Sequence, residues 1–202
     1  MAGNTFGSGT EQYGGGYAVW RLKNAFEQVG GLLSALPAVG SILPEGSLVS
    51  VSAGVATSLP TFELAEAITA LSTEVKIKAV GKMPRLSATM NVMVAPATVG
   101  TTGKGVLVGA VTDNEDGTHS FTITANDFGV LAAGAILVEA SKAGAGATIA
   151  VIPTGLTSRD VNIVSGNTQA SIGSIYNGEI FEALIQPIPA CVKAVLPQIK
   201  FS

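Results

Sequence analysis

Any reaction that needs an imidazole or a thiolate would have to use His119 or Cys191, since the chain holds 1 histidine and 1 cysteine. Ser-His-Asp and Cys-His arrangements would both recruit His119, because a base must take the nucleophile's proton. His119 shares parity with Phe121 and Ile123 in an alternating segment beside a turn. A histidine at the rim of a packed face explains that position without catalysis. Zinc needs several spaced Cys and His ligands, and here no such pair exists. Asp113-Asn114-Glu115-Asp116-Gly117 gathers oxygen ligands as a calcium loop does. The EF-hand pattern wants glycine sixth and a glutamate at the loop's end, whereas Gly117 is fifth and Ile123 stands six residues after it. Gly100-Thr101-Thr102-Gly103-Lys104-Gly105 contains a Gly-Lys pair, but a phosphate loop needs four residues between its glycines and a hydroxyl residue after the lysine. Glu63 and Glu66 stand three apart with nothing evident to pair with them beyond solvent. No catalytic, cofactor-binding or metal-ligating residue is assigned, and the expectation is a protein that is not an enzyme and needs no cofactor.

The elements around these residues belong to a chain of unusual balance. Its 25 glycines equal its charged residues in number, 11 basic and 14 acidic among 202. The net charge of −3 gives no electrostatic reason to bind nucleic acid or an anionic membrane. Hydrophobic residues reach 47% but aromatics only 5%, and mean hydropathy is +0.47. So little charge protects a monomer poorly in solution. Subunit contacts would absorb the surplus apolar surface, since permanent interfaces resemble a core cut in half. One well-packed domain with long uncharged loops is the plainer alternative. Cys191 can form no intrachain disulfide and is expected to pack as a small hydrophobe. The uncharged stretches 28–44 and 86–103 are interrupted by Pro and Gly, so neither is a spanning helix. The first residues lack the basic start and apolar core of a cleaved signal.

Periodicity then places the elements. Residues 1–16, ending in Gly14-Gly15-Gly16, read as a flexible arm. Val19, Leu22, Phe26, Val29, Leu33 and Leu36 recur at spacings of 3 and 4, which predicts a helix over about 17–29 and a miniature coiled-coil seam. Thr61 as N-cap, with Leu64, Ile68 and Leu71 on one face, predicts a second helix. Period-2 alternation predicts strands over 48–55, 75–79 and 86–94, and the segment 105–124 reads as a hairpin closed by Asp116-Gly117. Shorter strands are expected at 136–139, 148–152, 161–164 and 179–185, with one or two helical turns within 188–196. The fold class expected is mainly β, sandwich or barrel-like, with an N-terminal helix and one or two short helices.

Three segments carry a family resemblance. Leu43-Pro44-Glu45-Gly46-Ser47-Leu48-Val49 and Lys104-Gly105-Val106-Leu107-Val108-Gly109-Ala110-Val111 resemble the capsid-anchoring module of bacteriophage head fibre and head decoration proteins. Pro187-Ile188-Pro189 with Val192-Lys193-Ala194-Val195-Leu196-Pro197, Ile199 and Phe201 is similar to the ending of such proteins in crAss-like and related phages of Bacteroidales. The resemblance implies a β-rich anchoring domain over 43–202, and the arm and helical segment at 1–42, read from composition and spacing, depart from the family's simplest pattern. It also implies a structural virion protein that binds the major capsid protein, as a homotrimer on the capsid surface, assembled in the host cytoplasm. No nucleic acid or membrane partner is expected. The alternative is a soluble β-sandwich module binding a carbohydrate or cell-surface ligand, a class that normally exposes aromatic platforms.

Overall fold

A computed structural model describes residues 19–23, 28–33, 42–79, 86–124, 128–162 and 170–202. The expected arm at 1–16 lies outside the described residues, as do parts of the expected segments at 17–29 and 161–164, while the strand expected over 86–94 is confined to Asn91–Val94 because residues 88–89 turn. Strands begin with β1 (Trp20–Lys23), β2 (Gln28–Leu33), β3 (Ile42–Leu43), β4 (Leu48–Ser52), β5 (Val55–Ser58) and β6 (Thr61–Glu63). The middle of the chain adds β7 (Glu74–Lys78), β8 (Asn91–Val94), β9 (Gly103–Leu107), β10 (Val111–Asp113), β11 (Thr118–Thr122) and β12 (Ile136–Glu139). Then follow β13 (Gly144–Ala147), β14 (Gly155–Thr157), β15 (Val161–Asn162), β16 (Ser171–Ile175) and β17 (Gly178–Ile180). A 3₁₀ turn at Glu182–Leu184, helix α1 (Ala190–Ala194) and β18 (Ile199–Phe201) close the chain. The protein is mainly β.

A sheet ordered β13-β9-β8-β12-β6 forms the central layer. Its strands bury residues of both parities, because each face meets a different core. Val92 and Leu137 face one cluster with Phe62, Val75, Ile77 and Phe121. Their neighbours Met93 and Val138 face the other, with Trp20, Leu48, Ile188, Val192 and Leu196. Fully burying a side chain of this size contributes about 1.5–3 kcal/mol. The first cluster is closed by the sheet β10-β11-β7, where Val75 and Ile77 point inward and Lys76 and Lys78 outward. The second is covered by the C-terminal segment and by the sheet β1-β17-β18. Beside it stands a closed barrel ordered β14-β16-β2-β5-β4, filled by Leu33, Val49, Ala56 and Ile172.

The helix expected over 17–29 is corrected: residues 20–23 and 28–33 are strands. Trp20 fixes the first by donating its indole N–H to the Thr157 carbonyl at 3.1 Å from inside the core. Leu22, which the helical spacing puts on a buried seam, is instead exposed. In β2 the exposure alternates through Gly30, Gly31, Leu32 and Leu33, with Gly31 and Leu33 facing the barrel interior. A Cβ on Gly31 would lie 3.0 Å from Val51 Cγ1, so the glycine pair that interrupts a helix here lets strands approach. The two strands also tie the start of the described chain to its end, since β1 pairs with β17 and β2 with β16.

The helix expected from Thr61 is likewise corrected. Residues 61–63 form β6, and Leu64 and Ile68 make isolated bridges to Ile77 and Leu131. Thr61 and Phe62 are both buried because β6 packs on both sides, which erases the period-2 signal. The long hairpin is shortened to β10 and β11, while β9 belongs to the central sheet. The strand expected at 148–152 lies earlier, at Gly144–Ala147, with a bridge at Ile149. At 179–185 the strand ends at Ile180 and gives way to the 3₁₀ turn.

Candidate functional site

The residue types that could support catalysis are held in separate layers. His119 lies on β11 opposite Ile77, beside the core under the β10-β11-β7 sheet. Cys191 is on α1 in the other core, and burial pushes its thiol pKa up, away from the reactive thiolate. The acidic turn uses its carboxylates internally. Asp113 Oδ1 accepts from the Glu115 N–H at 3.0 Å, and Asp116 Oδ1 accepts from the Thr118 N–H at 3.0 Å. Bonds from Thr118, and then the neighbouring Lys76 ammonium, hold the Asp116 pKa down. Lys76 also meets Glu66 at 3.3 Å, which closes one side of a polar cleft lined by Glu66, Ser72, Glu74 and Asn114. Glu63 pairs with Lys78. Among the described residues no cluster of three His, Cys, Asp or Glu is placed to hold a metal ion. Gly105 sits in a strand, where a Cβ would meet the Lys142 carbonyl at 1.9 Å, and no helix follows it.

What the chain does assemble is a surface without charge. None of the residues in β2, β4, β5, β14 and β16 is charged. Part of the barrel's outer face is covered, where Leu48, Leu156 and Ile175 enter the neighbouring core. The rest is bare. Pairing aligns Ser52 with Val55, Val55 with Leu32, and Leu32 with Ser171, one row across four strands. Leu32 is 41% and Val55 50% exposed. Ile152, 52% exposed, lies two residues before Thr154 on the segment that leads into β14. Bonds of 2.9 Å from the Thr154 N–H to the Val49 carbonyl and 3.1 Å from the Val51 N–H to Thr154 Oγ1 hold that segment.

Each other sheet of three or more strands carries charge on its exposed side. Arg21, Glu179 and Lys200 form a chain of ion pairs at 3.0 and 3.1 Å across β1, β17 and β18. Lys76 and Lys78 mark the outside of β7, and Lys104 and Glu63 the central sheet. A second apolar feature lies apart from the barrel, where the bridge between Ile68 and Leu131 brings together the loops bearing Leu71 and Val130. Those two side chains are 91% and 75% exposed.

Of the three segments singled out by resemblance, 104–111 buries Val106 and Val108 but exposes Lys104 and Leu107, while the other two reach into the core. Gly46, with φ of +77°, turns the chain so that Ser47 and Leu48 enter the core, and a Cβ there would meet Ile185 Cγ2 at 2.4 Å. Thr157 locks this turn: its Oγ1 accepts from the Ser47 N–H at 2.9 Å and donates to the Pro44 carbonyl at 2.7 Å. The C-terminal segment reaches the same core through Ile188, Val192, Leu196 and Ile199. It is pinned by Thr61 Oγ1 to the Pro187 carbonyl at 2.6 Å and by Gln186 Nε2 to the Leu59 carbonyl at 2.9 Å. No helix among the described residues is long and apolar enough to cross a membrane. No family model matches the chain, and no curated protein or solved structure matches it either.

Proposed function

We propose that the protein is a structural component of a phage head, bound to the major capsid protein as decoration or as the base of a fibre. The observation that carries this reading is the uncharged outer face of the barrel, with Leu32, Val55 and Ile152 presented to solvent on or beside it. A surface of that kind gains by being covered with another protein surface and offers little to an ionic ligand. The resemblance of 43–49, 104–111 and 187–201 to head fibre and decoration proteins supplies the partner and implies a trimer, and the low charge fits a symmetric homo-oligomer. For the sugar-binding alternative, Trp20 offers no stacking platform, since its indole is buried and bonded to Thr157, which leaves Tyr176 and Phe181 as the most exposed rings among the described residues. The test is an antibody raised against the purified chain and applied to particles released from cultures that carry its gene. Labelling of icosahedral heads is expected. Recovery of the protein only in the soluble host fraction would overturn the reading.

A further inference from the structure

We infer that the groove where the end of β16 meets the C-terminal segment is a binding site for a neutral saccharide. The inference goes beyond the proposed function, and neither depends on the other. The groove has a volume of about 380 Å³, within the range of small-molecule sites. Thr154, Ser174 and Tyr176 line it from the barrel side. Val195, Pro197 and Gln198 line it from the C-terminal segment, which Leu196 and Ile199 anchor in the core.

Its polar groups are fixed in place but not used up. Ser174 is 2% exposed and is held between two strands, opposite Thr157 of β14 and Val29 of β2. Gly155 leaves room for the Ser174 hydroxyl, since a Cβ there would collide with its Oγ. Among the described residues that Oγ has no hydrogen-bond partner, and neither has the Tyr176 hydroxyl or the Gln198 side-chain amide. Thr154 Oγ1 accepts from the Val51 N–H at 3.1 Å, which leaves its own proton to donate. A ligand that fills the groove strips water from these groups, so it must itself supply their partners.

That requirement selects the ligand. No Lys, Arg, His, Asp or Glu lines the groove, so an ion or a phosphate finds no counter-charge there. A wholly apolar ligand would leave four hydrogen-bonding groups unpaired. A peptide strand needs an open sheet edge, and the closed barrel has none. A sugar meets each condition. Its hydroxyls donate and accept, as those of Ser174, Thr154 and Tyr176 and the Gln198 amide do. Its C–H face has the Tyr176 ring, with the residue 36% exposed, and the aliphatic Val195 and Pro197 to pack on.

The test is saturation-transfer NMR with calorimetry on the full chain. The probes are glucose, galactose, N-acetylglucosamine and their disaccharides, with adenosine as a planar neutral control. Binding of at least one sugar is expected. Ser174→Ala and Tyr176→Ala should each weaken it about tenfold, while Phe181→Ala, whose ring lies outside the groove, leaves it unchanged. Thermal melting separates lost binding from a damaged fold. The Ser174 hydroxyl makes no bond within the described protein, so Ser174→Ala should melt no lower than wild type. Failure of every sugar to bind, binding of adenosine alone, or sugar affinity untouched by both groove variants overturns the inference. Head labelling and sugar binding are read separately, so either can fail while the other stands.

Discussion

Thr157 shows how a single side chain determines a local conformation that sequence inspection cannot anticipate. Its hydroxyl bridges the Pro44 carbonyl and the Ser47 N–H, and its carbonyl receives the Trp20 indole N–H. The Leu-Pro-x-Gly-Ser turn is visible as a motif, but its partner stands 110 residues further along the chain, where nothing in the pattern marks it. Thr157→Val keeps the volume and removes the hydroxyl, leaving the Pro44 carbonyl and the Ser47 N–H only their 3.2 Å contact with each other. We expect a loss of about 1 kcal/mol in chemical denaturation, in line with a lost net hydrogen bond. Gly46→Ala should cost about 3 kcal/mol, since it forces a side chain into left-handed backbone and against Ile185. A Gly46→Ala protein as stable as wild type would mean that the turn relaxes and that this packing matters less than described.

The strands that were legible are those with one wet and one dry face. In β7, Val75 and Ile77 alternate with Lys76 and Lys78, whereas Ile136–Glu139, covered on both faces, is located from the Gly-rich and Ser-rich breaks that separate short strands. The C-terminal helical turns were legible too, as α1. The elements that misled are those where periodicity carries the wrong information. Val19, Leu22 and Val29 match a helical seam in spacing only, because the partners that make β1 and β2 strands lie near the other end of the chain. β6, buried on both sides, has no alternation to read. The ion-paired sheet yields a prediction at this scale. Bonding to Lys200, with the nearby Arg21 charge, holds the Glu179 pKa below its ordinary 4.5. A carboxylate depressed in the folded state stabilises above its unfolded value and loses that contribution as pH falls through the folded one. Wild type should therefore melt above Glu179→Gln at neutral pH, with the gap shrinking below pH 4.5 and in high salt. A gap that persists unchanged at pH 3 would assign the effect to something other than charge.

At the scale of the whole molecule, the scarcity of charge and the abundance of glycine come from the same design. Layers buried on both sides need apolar residues on both parities, and close-packed strands need glycine where backbones or side chains meet. Composition shows how scarce charge is along the chain but not which surface lacks it. It could not show that the uncharged segments 28–33, 48–58 and 171–175 would close into one barrel, because that depends on pairings across more than 100 residues of chain. The central claim is that the chain is a subunit of a symmetric protein assembly. The measurement that tests it most directly is the native mass of the purified chain across dilution. The account predicts a stable oligomer, a multiple of 20.3 kDa that persists on dilution into the micromolar range. A chain that runs at 20.3 kDa at every concentration would contradict it.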